Sequence, residues 1–66
     1  MRLIINGETR ELEGIESIKD MLDSLGVDHQ TVAVMVNGEI IGRADFVSRP
    51  VQDHDAIEIV RFVGGG

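Results

Sequence analysis

The dipeptide Asn-Gly occurs twice in the chain, at residues 6–7 and 37–38, each time between two short apolar-rich runs. The tightest hairpin turn needs positive φ at both central positions. Asparagine tolerates that conformation and glycine adopts it freely, so strand, Asn-Gly, strand is the strongest short-range hairpin signal. The first copy joins "MRLIIN" to "GETRELE" and predicts strands near residues 1–6 and 8–13; the second joins "TVAVMV" to "EII". Two hairpins fix most of what a chain of 66 residues can become.

Between them lies one helix. Ser17 and Asp20 make a capping-box-like S-x-x-D, whose hydroxyl and carboxylate can satisfy the free N–H groups of a first turn. Ile15, Ile18, Met21, Leu22 and Leu25 follow the three-and-four spacing of an apolar face, with Lys19, Asp20, Asp23 and Ser24 opposite, and Gly26 stands where a left-handed C-cap belongs. The helix is expected near residues 17–25. After the second hairpin, "GRADFVSRP" is irregular, with room for a helical turn near Ala44 to Val47 before Pro50 discourages continuation. "QDHD" offers a turn, and "AIEIVRF" alternates as a last strand over residues 56–62. A lone helix must bury its stripe against a sheet. The class is therefore α+β, a mixed sheet of about four to five strands with one main helix across one face. That arrangement resembles a ubiquitin-like, β-grasp roll.

The size allows a single domain and no catalytic cleft with walls of its own. With Phe46 and Phe62 its only aromatic residues, the core must be aliphatic. Cysteine is absent, which removes disulfides, thiolate metal sites and side-chain thioester chemistry. Twelve acidic against six basic residues give a net charge of −6, so a phosphate backbone would be repelled; nucleic acid is not expected as a partner, and a basic protein surface suits better, although the acidity also serves simple solubility. The apolar run in "MRLIING" is too short for a signal peptide and no stretch is long enough to span a membrane, so a cytoplasmic protein with no membrane partner, monomeric when free, is expected. His29 and His54 lack ligand spacing and read as surface residues, and Asp53 and Asp55 read as turn caps, leaving no metal or catalytic residue to assign.

Alternation along the strands separates two faces. If Leu3, Ile5, Val32, Val34, Val36, Ile57 and Ile59 point toward the helix, the other face receives Ile4, Ala33, Met35, Val60 and Phe62. Exposed apolar residues on an open sheet face commonly mark a partner surface, and Ile4, Met35, Val60 and Phe62 are the expected contacts. The chain then closes on "RFVGGG". Three glycines add almost nothing to a core. They make a side-chain-free tether, which divides the chain into a body, 1–62, and a tail, 63–66, able to extend ~13 Å. The group at its tip is the α-carboxylate of Gly66.

The combination of "VAVMVNGEIIG" with "QDHDAIEIVRFVGGG" resembles the ThiS family of thiamine-biosynthesis sulfur carriers, over nearly the whole chain. The resemblance implies a carrier and co-substrate, not an enzyme. In that family an E1-like enzyme uses ATP and magnesium to adenylate the terminal glycine, a donor such as a cysteine desulfurase supplies sulfur to form a thiocarboxylate, and thiazole synthase receives it. Carried over by position, Gly66 is the modified residue, with Gly64 and Gly65 the tail needed for activation; ATP and the metal belong to the partner. Gly42, where proline is frequent, and His54, where glycine is common, depart from the family pattern. A terminal diglycine on such a body also fits the molybdopterin-synthase small subunit, other sulfur carriers and ubiquitin-like modifiers, and a β-grasp interaction module would use the sheet face alone.

Overall fold

Both Asn-Gly pairs make two-residue turns with positive φ at each position: +50° and +81° at Asn6 and Gly7, +50° and +86° at Asn37 and Gly38. This is the type I′ geometry whose twist matches that of paired strands. The computed structural model describes residues 1–62; the expected tail, 63–66, with Gly64, Gly65 and Gly66, lies outside the described residues. The first turn joins β1 (Arg2–Ile5) to β2 (Glu8–Glu11) and the second joins β3 (Val32–Val36) to β4 (Glu39–Ile41). A last strand, β5 (Ala56–Arg61), completes a five-stranded sheet in the order β2-β1-β5-β3-β4. β5 runs parallel to β1 and antiparallel to β3.

The first two strands are shorter than the sequence suggests because the turn takes Asn6 and Gly7, and Gly14, at φ +70°, turns the chain soon after β2. Met1 and Leu12 still exchange backbone hydrogen bonds of 2.9 Å beyond the strand ends.

The helix α1 (Ile18–Ser24) lies inside the expected span, with Ser17 and Leu25 as its caps. The capping box forms: the Asp20 N–H donates to the Ser17 hydroxyl at 3.2 Å, and the Asp20 carboxylate accepts from the Ser17 N–H at 3.2 Å. A cap of this kind is worth ~1 kcal/mol. At the other end Gly26 has φ +71°, its N–H donates to the Asp23 carbonyl at 3.1 Å, and Val27 donates to Leu22 at 2.9 Å. That paired closure, with an apolar residue following glycine, is the Schellman motif.

Ile18, Met21 and Leu22 are fully buried against Leu3, Val34, Val36 and Ile57 of the sheet. Two further core residues, Phe46 and Val51, come from the irregular segment, whose expected turn near 44–47 is a 3-10 turn at Arg43–Asp45. The first N–H groups of a helix have no partner within it. Here Ile18 donates to the Arg49 carbonyl and Lys19 to that of Phe46, while Val51 donates to Glu16. These bonds draw the segment around the helix start and press Phe46 and Val51 inward.

His54 occupies φ +69° in the turn before β5, where its N–H donates to the Arg2 carbonyl at 2.6 Å. The left-handed region costs a non-glycine residue ~1–2 kcal/mol, whereas glycine adds ~0.5–1 kcal/mol of unfolded-state entropy. His54→Gly keeps the backbone bond and is expected to stabilise the domain by about 0.5–1 kcal/mol. The check is a higher urea midpoint at unchanged slope; an unchanged or lower midpoint would show that the turn holds no strain.

Candidate partner-docking face

Register decides which side chains share the uncovered face of the sheet. Met35 lies opposite Ile40 on one side and Glu58 on the other; Ala33 lies opposite Val60; Ile4 lies beside Ala56 and Thr9. Directly paired residues point to the same side. The alternation therefore holds on β3, where Val32, Val34 and Val36 are buried while Ala33 and Met35 between them are half-buried. Ile4, Val60 and Phe62 are exposed. Of the residues expected inward, Ile59 is only half-buried, because β1 has already ended where Ile59 passes.

Two residues of this face carry no local signal of a partner surface in the sequence. Ile40 is the most exposed large apolar residue described, at 74%. "EII" gives no alternation to read, and only pairing with β3 turns Ile41 inward and Ile40 out. Glu58, in register with Met35, interrupts the apolar surface. Met35, Ile40 and Val60 are neighbours around Ala33, and Phe62 follows Val60 with the same parity. Ile4, at Ala56, lies four residues back along β5 from Val60, on the far side of Glu58. The expected contacts thus form one group of Met35, Val60 and Phe62, joined by Ile40, with Ile4 apart from it.

Both turn asparagines hold β5, Asn37 at its start and Asn6 toward its end. Asn6 presents its amide as a further strand residue would: its Oδ1 accepts from the Ile59 N–H at 2.8 Å and its Nδ2 donates to the Ile59 carbonyl at 3.2 Å. Asn37 Oδ1 accepts from the Ala56 N–H at 2.9 Å, and its Nδ2 donates to Asp55 Oδ1 at 3.0 Å. Phe62 donates to the Thr31 carbonyl at 2.9 Å. Asn37 therefore fixes where β5 enters the sheet, and Asn6 with Thr31 sets the line on which the chain leaves it.

Asp55 caps its turn, accepting from the Gln52 N–H at 2.9 Å. Asp53 does something else: it accepts from the Arg2 N–H of β1 at 2.7 Å. That bond, helped by the neighbouring His54 charge, holds the Asp53 carboxyl below the usual aspartate range. Any stability it adds is present above the unfolded-state pKa and fades as the pH falls through the lower native value. Among the described residues no three His, Asp or Glu side chains converge as metal ligands would. No described helix is long and apolar enough to cross a membrane.

Residues 3–66 match the model of the ThiS family. The sulfur carrier protein ThiS of Thermus thermophilus is 39% identical over 62 residues, covering 94% of this chain and 95% of that protein. A thiazole synthase of Paramagnetospirillum magneticum is 42% identical over all 66 residues, of which the chain spans only 20% of that protein's length. The crystal structure of the thiamine biosynthesis protein ThiS from Geobacter metallireducens superimposes with a TM-score of 0.84 at 36% identity, each chain fully covered. The five-stranded mixed sheet with its single helix is the ubiquitin-like β-grasp of that structure.

Proposed function

The chain belongs to the ThiS family of sulfur carriers in thiamine biosynthesis, and from that premise we propose that it carries sulfur as a thiocarboxylate on Gly66. The observation that carries the reading is that the family match runs through residue 66, so Gly65 and Gly66 fall inside the matched segment.

A carboxylate is a poor electrophile. Attack of its oxygen on the α-phosphorus of ATP, in an E1-like partner that holds the magnesium, releases pyrophosphate and leaves an acyl-adenylate whose carbonyl can be attacked. A persulfide sulfur from a donor such as a cysteine desulfurase displaces AMP at that carbon, and a thiol then cleaves the sulfur–sulfur bond, leaving the thiocarboxylate. Among the chain's 66 residues there is no cysteine to compete for the activated carbonyl.

The group of Met35, Ile40, Val60 and Phe62 serves in this reading as the contact for the activating enzyme, close to where the chain continues toward the tail. Thiazole synthase is the proposed recipient, since proteins of that name contain a segment similar to this whole chain. That observation favours thiazole formation over the molybdopterin alternative. Intact mass of the protein recovered from cells expressing its partners should show replacement of one oxygen by sulfur. A conjugate to another protein would mark a modifier instead, and an unmodified chain would leave only the interaction module.

A further inference from the structure

Four of the six basic side chains have partners within the chain. Arg2 pairs with Glu11, Lys19 with Asp23 and Arg49 with Glu39, and Arg43 donates to the Gln30 carbonyl. Arg10 and Arg61 form no ion pair among the described residues, although the chain has twelve acidic residues to offer. They converge on one place. Arg10 is in register with buried Leu3 and Arg61 with buried Val32, so both stand on the helix side of the sheet. Both line a notch of about 330 Å³ floored by Ile5, Val27, Val32 and Ile59. Three other notches of similar volume each carry at least one carboxylate, from Glu11 and Asp53, from Asp55, or from Glu39 and Asp45. This one has none.

Among the described residues the backbone beside the notch is also open. The bond from Phe62 to Thr31 fixes the even-numbered residues of β5 as those bonded to β3, which turns the N–H and C=O of Ile57, Ile59 and Arg61 toward the β1 side. The Ile57 carbonyl is met by the Asn6 N–H, and both groups of Ile59 by the Asn6 side chain. Among the described residues no strand continues past Asn6 to meet Arg61.

We propose that this notch docks an extended acidic segment of a partner protein. The segment adds alongside β5 at Arg61, seats an apolar side chain against Ile5 and Ile59, and pairs its carboxylates with Arg10 and Arg61. Strand addition supplies main-chain bonds and leaves alternate side chains to confer specificity. Two guanidinium groups that are unpaired among the described residues, over an apolar floor to which no described carboxylate contributes, select acidic side chains and repel basic ones. The site faces away from Met35 and Ile40 and does not rest on the sulfur-carrier reading.

The test is titration of the isotope-labelled protein, followed by NMR, with a short blocked peptide of alternating valine and glutamate. Saturable shifts are expected at the Arg61 amide, the Asn6 side-chain amide and the methyl groups of Ile5 and Ile59. The lysine counterpart should give none, and Arg10→Gln combined with Arg61→Gln should weaken binding by about tenfold or more while leaving the rest of the spectrum in place. The proposal is overturned if no shift saturates at millimolar peptide, if the lysine peptide binds as well, or if the shifts fall on Met35 and Ile40. It is equally overturned if the same residues shift with protein concentration alone, which would make the occupant a second copy of the chain.

Discussion

One residue appended after Gly66 is expected to lower ATP-dependent thiocarboxylate formation at least ~100-fold, because a reacting group misplaced by even an ångström can lose that much. The addition keeps every glycine. It changes only the position of the carboxylate, by up to ~3.5 Å, and the residue that bears it. Deleting Gly66, or replacing Gly65 with a bulky residue, should have a comparable effect. The body should not respond: the change lies beyond β5, whose end is fixed by Asn6 and Thr31, and exposed termini contribute little to stability. Mass spectrometry of the product made with a purified adenylating enzyme measures the first part, and thermal melting the second. An extended protein that acquires sulfur at the normal rate without being trimmed would end the terminal-carboxylate mechanism, leaving the docking face to be judged separately.

What could be read in the sequence was local. The Asn-Gly turns are legible because φ is a property of single residues, and the helix because Ser17, Asp20 and Gly26 bracket a stripe of fixed period. The faces of β3 and β5 followed from alternation, since one face of each is covered. What could not be read depends on chain segments far apart. Phe46 and Val51 have no periodicity around them, and they enter the core because carbonyls of their own segment satisfy the first turn of the helix. Ile40 and Ile41 are distinguished only by pairing with β3. Arg10 and Arg61 stand 51 positions apart (61 − 10), and nothing local announces that parallel pairing of β1 with β5 brings them to one notch. The separation of Ile4 from Val60 follows from the same pairing, which places Ile4 at Ala56.

Val34→Asp should unfold the domain at room temperature, whereas Met35→Asp, one residue along the same strand, should leave it folded and unable to bind the proposed activating enzyme normally. Val34 is 0% exposed, in register with Ile59 and Ile41, and no basic residue belongs to the core it packs in. A carboxylate there must be buried unpaired or protonated, either of which costs several kcal/mol beyond the lost packing. A domain of this length has only ~3–10 kcal/mol in total. Met35 is half-buried on the open face, where an aspartate can reach water, so its replacement should cost no more than ~1–2 kcal/mol. It would, however, put a second carboxylate in register with Glu58, amid the apolar group of Ile40 and Val60. Loss of a central apolar contact, together with a buried charge in the complex, should weaken binding by ~2 kcal/mol or more, some thirtyfold. Circular dichroism separates the two variants, and calorimetry with the purified enzyme measures the second effect. If Met35→Asp unfolds while Val34→Asp does not, the two faces of the sheet have been exchanged. If Met35→Asp folds and binds with unchanged affinity, the activating enzyme docks elsewhere.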